Sequence, residues 1–400
     1  MSSAAGAWSP TPRPGPLSGL RVLDFTWAAA GPIATSFMAW LGADVAKIEY
    51  ARRPDLMRVA NRQYGYPGEL DLNASTSFNE IASGKRSIAL NLSDTGDLDT
   101  ARQLAAVADV VVENMRPGKI ESLGLGYREL RELNPPVVMC SVSATGRTAE
   151  SVPGYAPIFW AEGGGAWMTG RPDRLPGVVR GPVDLHVAAL ACVGTLALLE
   201  RRKRTGEGGY VDCSGIEAVA ATTTADLIAE LLTGKQAARG GNSQPGMLVN
   251  DLFPAAGDKP GDEAWVAVSV RDDADLTAFC ALLGEQPDDV RAALTSGGQL
   301  SDECYQQLAG KTARLDAGAL ARDLLARGVP AARSLSLNAA LLDQRLHQRG
   351  TFVQSSHPRI GQQTIVGVPW VRDGTPYAAI RPAPDLGQDG DAILSEWLSA

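Results

Sequence analysis

Histidine is scarce in this chain, with three in 400 residues: His186, His347 and His357. That excludes a His-rich metal centre and gives little support to a nucleophile activated by histidine. The five cysteines, Cys140, Cys192, Cys213, Cys280 and Cys304, are odd in number and lack metal spacing. Reduced thiols of a cytoplasmic protein are the expectation. Cations are also in deficit. A net charge of −8 argues against nucleic acid as a partner, so an anionic small ligand needs a local basic patch. No run of about 18 apolar residues is evident, so no membrane span is expected. The opening stretch Met1–Pro16 lacks the charged start and apolar core of a signal peptide. A Gly-x-Gly-x-x-Gly turn is missing after the first strand, so a nicotinamide cofactor is not indicated.

What is present describes a globular α/β chain: 44% apolar and 20% charged residues. Its length is too great for one ordinary core. Strands are expected at Leu20–Phe25, Asp44–Glu49, Lys85–Leu92, Asp109–Glu113, Val137–Val142 and Tyr210–Cys213, with helices between them. This alternation predicts an open, Rossmann-like parallel sheet with right-handed crossovers. Ligands of such sheets sit beyond the carboxyl ends of the strands, here at Thr26–Pro32 and Tyr50–Arg53. A change of composition past residue 215 separates a large domain, 1–215, from a linker helix and Gly loop at 216–247 and a small α+β domain at 248–330. The chain returns to the large domain over 331–400.

The stretch Arg180–Asp212 carries the chemistry. Gly181, Pro182 and the acid Asp184 precede an apolar helix expected from about Leu185 to Leu199. A basic run, Arg201–Arg204, and the turn Thr205–Gly209 follow. Asp184 has two readings. An aspartate ahead of a helix caps its first N–H groups. A carboxylate facing a cleft is also a nucleophile.

The residues LSGLRVLDFTWAAAGP, LGADVAKIE, GKRSIALNL, ADVVVENMRPGKIESLGLGY, PVDL, ERRKRTGEGGYVD, GGNSQPG, QRGTFV, VGVP and PAPDLGQ occur in the order and spacing of one family. The chain resembles the class III CoA-transferases, the formyl-CoA and carnitine CoA-transferase type, to which the α-methylacyl-CoA racemases are related. The resemblance implies a large domain on a six-stranded parallel sheet, a small α+β domain, and a dimer whose chains interlock. It implies no permanently bound cofactor, with coenzyme A thioesters as substrates. It assigns the nucleophile to Asp184 and oxyanion donors to the loop at Gly240 and Gly241. Contacts to CoA fall on Ala28, Ala29, Tyr50, Leu90, Leu92, Asn114, Met115 and Tyr155, with Arg52, Arg53, Arg116, Lys85 and Arg86 as nearby cations.

Several departures bear on function. Tyr50, Ser93, Ser122 and Pro153 stand where the family usually has a cation for CoA, and Ala29 stands where a Gln often flanks the nucleophile. The partner is therefore either a second copy or a homologous subunit that completes the site. Tyr155 occupies the position of the racemase histidine, and tyrosine titrates too high for easy base work. CoA transfer is thus favoured over racemisation, with a non-catalytic subunit of a heteromeric transferase as a further alternative. Trp27, Phe159, Trp160, Trp167 and Met168 point to an apolar or aromatic acceptor acid, with succinyl-CoA as donor. No membrane partner is expected.

Overall fold

A computed structural model describes residues 15–60, 71–147, 152–171, 173–179, 181–259, 262–294, 299–376 and 381–399. The amino-terminal stretch before residue 15 and Arg180 lie outside the described residues. The chain gathers into two compact units. One comprises Met1–Gly164, Val179–Thr222 and Asp343–Ala400, the other Gly165–Val178 and Thr223–Leu342. The second unit thus takes in 165–178 and runs on to Leu342, beyond the 248–330 drawn from composition.

The first unit is built on six strands: β1 Arg21–Asp24, β2 Asp44–Glu49, β3 Arg86–Ala89, β4 Val110–Glu113, β5 Val138–Ser143 and β6 Gly209–Ser214. They pair in parallel in the order β3-β2-β1-β4-β5-β6. Because successive side chains of a strand point to opposite faces, each strand feeds two cores. Val22, Val110, Val112, Val138 and Cys140 join one cluster, while Leu23, Val111 and Met139 join the other. The first is covered by helix α1, Ala30–Trp40, and by the long helix Gly181–Thr205. The second is covered by the helices Thr95–Ala106 and Gly390–Leu398, whose Trp397 is fully buried and donates from Nε1 to Asp44 at 2.8 Å. The helix between β3 and β4 starts at Thr95, capped by Asp94.

The long helix departs most from expectation. It begins at Gly181 and ends at Thr205, not Leu185–Leu199. Proline is at home in a first helical turn, where its missing N–H has no partner to lose. At the far end Arg202, Lys203 and Arg204 complete the last turn, where cations suit the helix dipole. This helix is long and apolar enough, by length and composition, to cross a membrane, contrary to the expectation that no such stretch exists. Its Val183, Val187, Ala188, Ala191, Cys192 and Leu199 are buried in the first core, which accounts for its composition.

The second unit holds a three-stranded antiparallel sheet, β7 Val249–Ala256, β8 Glu263–Val270 and β9 Ala331–Arg333, with β8 central. Four helices, Asp273–Leu283, Pro287–Ala292, Asp302–Thr312 and Ala317–Ala326, cover a core around Phe253, Phe279, Leu308, Leu320 and Leu324. The linker helix expected within 216–247 is two helices, Gly215–Ala220 and Thr224–Thr233, joined by a 3-10 turn.

Candidate active site

The strand order 3-2-1-4-5-6 reverses direction between β1 and β4, and ligands of doubly wound sheets bind at that switch point, outside the carboxyl ends. The candidate residues of the first unit fall on this edge. Ala28 and Ala29 follow β1, and Tyr50 and Arg52 follow β2. Leu90 and Leu92 follow β3, and Asn114, Met115 and Arg116 follow β4. Tyr155 flanks the helix Ala156–Glu162 beyond β5 and is 60% exposed. Ala28 and Leu90 are buried, Ala29, Tyr50, Leu92, Asn114 and Met115 half-buried, and Arg52 and Arg116 exposed.

Asp184 reaches the same edge by the path of the long helix. Cys140 Sγ on β5 donates to the Ala191 carbonyl, and Cys213 Sγ, further along β6, donates to the Val187 carbonyl. The helix therefore runs against the strands. One more turn, about 5 Å at 1.5 Å per residue, carries Asp184 past the strand ends. His186 Nε2 lies 3.1 Å from the Ala218 carbonyl, in the helix that follows β6. Across the sheet edge, two strand spacings of about 4.8 Å separate the switch point from the β5–β6 end.

The structure removes the capping reading of Asp184. The helix starts at Gly181, so Asp184 lies inside its first turn and not ahead of it. The side chain is half-buried, and burial pushes its carboxyl up from 3.8 to about 6. The helix dipole favours the ionised form, and desolvation outweighs it. A poorly solvated carboxylate whose upward shift no neighbouring cation offsets is a reactive one.

Two expected cations are not available to a ligand. Lys85 is fully buried and bonded to Asp24 at 3.1 Å, to Thr35 Oγ1 at 2.8 Å and to the Pro32 carbonyl at 2.8 Å. Arg86 is bound to Asp44 at 2.5 Å and Glu396 at 2.7 Å. Burial alone would raise the Asp24 carboxyl, but Lys85, Lys47 and the hydroxyls of Thr26 and Thr35 bring it below its ordinary value. A basic residue missed in the sequence, Arg147, pairs with buried Glu113 and with Glu121 at 3.1 Å, and its N–H donates to Asp212 at 2.7 Å. Arg52, Arg53 and Arg116 remain at the edge as exposed cations, with the Arg53 guanidinium 5.3 Å from the centre of the Trp27 ring.

Gly240 and Gly241 belong to the second unit. The loop around them is tied down. The Gly241 N–H donates to the Gly170 carbonyl at 3.0 Å, and Gln299 Nε2 donates to the Gly240 carbonyl at 2.6 Å. Asn242 Nδ2 donates to Asp251 at 2.7 Å, while the Arg239 guanidinium bonds the carbonyls of Arg171 and Arg174. Gly241 has φ +61, a conformation glycine adopts without cost. Among the described residues no cluster of three His, Cys, Asp or Glu side chains is placed to hold a metal ion.

Known proteins share this architecture and sequence. The chain is 33% identical over 394 residues to a succinyl-CoA:mesaconate CoA-transferase from Haloarcula marismortui, covering 96% of each protein. It is 31% identical to an acetyl-CoA:oxalate CoA-transferase from Acetobacter aceti, covering 97% of each. The crystal structure of a CaiB/BaiF family protein from Brucella suis superposes with a TM-score of 0.81 at 24% identity, over 96% of this chain and 100% of that one, which shows a common fold. The model of CoA-transferase family III matches residues 17–390, nearly the whole length, and the chain belongs to that family.

Proposed function

We propose that this protein moves coenzyme A from an acyl-CoA to a second carboxylic acid through an aspartyl-CoA thioester on Asp184. The observation that carries the reading is Asp184 itself: a half-buried carboxylate at the carboxyl edge of the sheet, with its pKa raised to about 6 by desolvation. Its oxygen attacks the thioester carbonyl and expels the CoA thiolate, giving a mixed anhydride. The thiolate then attacks the Asp184 carbonyl and releases the donor acid, leaving Asp184 as a CoA thioester. The acceptor carboxylate runs the same steps in reverse, so the thioester energy is conserved and no proton or electron is left over. Each tetrahedral step develops an oxyanion that needs donors close by. We assign these to the N–H groups of the Gly240–Gly241 loop.

Succinyl-CoA is the proposed donor, supported by relatives with succinyl-CoA in their names. The acceptor is a carboxylic acid. Phe159 belongs to the core and Trp160 packs against it, so the case for an apolar or aromatic acceptor rests on half-buried Trp27. Nucleotide-end contacts are proposed for Ala28, Tyr50, Leu90, Leu92, Met115 and the turn that Asn114 holds, with Arg52 and Arg116 as phosphate cations. An interlocked dimer in the cytoplasm is part of the proposal. It is supported by exposed apolar side chains at Leu185, Leu190 and Val193 of the long helix and at Leu227, Ile228, Leu231 and Leu232 of the second unit. The test is mass spectrometry after incubation with an acyl-CoA panel and hydroxylamine. A hydroxamate on Asp184 is the expected result. Transfer activity without any Asp184 adduct, or full activity in Asp184→Ala, refutes the mechanism.

A further inference from the structure

The turn after β1 contains a residue in a conformation that L-amino acids avoid. Ala28 has φ +69, in the left-handed region that costs a non-glycine residue free energy and persists only where the surroundings impose it. Here the surroundings account for nearly every polar backbone atom from Thr26 to Ala28. The Thr26 N–H donates to Asp24 at 2.8 Å, and the Thr26 carbonyl accepts from Lys47 Nζ at 2.6 Å. The Trp27 N–H donates to Asn114 Oδ1 at 2.8 Å, and Asn114 Nδ2 donates back to the Trp27 carbonyl at 2.7 Å. The Ala28 N–H donates to Asp55 Oδ1 at 3.3 Å. Asp55 is in turn held by Lys47 at 3.1 Å and by the Met57 N–H at 3.0 Å. Lys47 and Asp55 are buried, so neither can also reach a ligand in bulk solvent.

We infer that Lys47, Asp55 and Asn114 are positioning residues that fix the Trp27–Ala28 turn in its left-handed form, so that the turn and the first N–H groups of α1 meet the acyl-CoA in a preset shape. The inference rests on the proposed CoA-transfer reading and deepens it. It also changes the role of Asn114: both ends of its amide are engaged by the Trp27 backbone, so it serves the ligand through the turn. The three side chains come from β2, the segment after β2 and the segment after β4, which ties the two strands flanking β1 to the turn between them. Gly31 is packed into the same arrangement, since a Cβ there would lie 2.7 Å from Thr26 Cβ and 3.1 Å from Asn114 Cγ.

The experiment is steady-state kinetics on full-length wild type, Asn114→Ala, Asn114→Asp, and each variant combined with Ala28→Gly. Wild-type transfer activity is measured first, so a failure of the CoA-transfer reading shows itself there and separately. Asn114→Ala is expected to raise KM for acyl-CoA about tenfold with kcat within about twofold, the loss expected when a preset shape is released. Asn114→Asp keeps the acceptor for the Trp27 N–H and loses the donor, so its KM falls between. Ala28→Gly, which removes the cost of a positive φ, is expected to recover about threefold of the KM loss in the Asn114→Ala background. Rescue is the decisive readout, because a glycine at 28 cannot restore a lost contact between Asn114 and CoA. A tenfold KM effect without rescue, or a fall in kcat with KM unchanged, overturns the inference. If Asn114→Ala does not fold, the Asn114→Asp pair carries the same comparison.

Discussion

Replacing Asp184 with asparagine should make the protein inert and more stable at once. The carboxyl is pushed from 3.8 to about 6 by burial. A shift of that size corresponds to about 3 kcal/mol if the full effect is felt, at about 1.4 kcal/mol per unit. The side chain is only half-buried, and solvent screening reduces the figure to about 1–1.5 kcal/mol. The sign follows from proton linkage. The folded state holds its proton more tightly than the unfolded chain, so below about 3.8 both states are protonated and the group contributes nothing. Stability then falls as the pH rises through the window between the two values, and above about 6 the penalty is constant. The asparagine amide carries no charge and escapes it. Urea unfolding of the first unit should therefore show Asp184→Asn more stable than wild type by about 1 kcal/mol near pH 8, with the gap closing near pH 4. The same variant should lose transfer activity by about a thousandfold or more, while wild-type kcat/KM rises through an apparent pKa near 6. Equal stability at both pH values, or a destabilised variant, would refute the claim that this carboxylate is held in a poorly solvated place.

Three other outcomes are expected. Lys85→Met leaves Asp24 buried without its principal cation and should cost about 3–5 kcal/mol in denaturant unfolding; a loss under about 1 kcal/mol would show that the Thr26 and Thr35 hydroxyls suffice. Gly208→Ala brings a Cβ to 2.0 Å from the Val137 carbonyl, at the start of the β5–β6 pairing, and should lower the melting temperature by several degrees on a cost of about 2 kcal/mol. Unchanged melting would mean the two strands can part there without penalty. Tyr155→Phe should keep CoA transfer within about threefold, because the ring is exposed and the reaction needs no base at that position. A loss of a hundredfold or more would reopen proton abstraction as the chemistry.

Much of this was legible from residue pattern. The six strands of the parallel sheet announce themselves as short apolar runs because both faces are buried, and the site edge follows from the strand–turn–helix alternation. Other features were hidden for identifiable reasons. Pro182 looked like a barrier ahead of a helix and proved to be in its first turn, which moved Asp184 from cap to helix interior. Strand β7 contains Pro254 and charged Asp251, and passes as loop; it is tolerated because β7 is at the edge of its sheet. Lys85 and Arg86 read as solvent cations near a phosphate site. Their partners Asp24, Asp44 and Glu396 are distant in sequence, so nothing local reveals the pairing. The left-handed Ala28 left no sequence signal, since alanine seldom adopts that conformation.

The long reach of those pairings has a consequence for biosynthesis. Strand β3 is an edge of the six-stranded sheet and stays uncovered until the helix Gly390–Leu398 arrives, and the ion pair between Arg86 and Glu396 joins positions 310 residues apart. The whole run Thr223–Leu342 of the second unit is translated while that edge of the first still lacks its cover. A ribosome adding roughly 5–20 residues per second therefore leaves β3, and the apolar pocket that Trp397 will fill, open for tens of seconds. Folding in the cell thus becomes a matter of timing as well as of sequence. The second unit has both of its segments, Gly165–Val178 and Thr223–Leu342, once Leu342 has emerged, whereas the first must still wait, half-built and prone to sticking, for its latch.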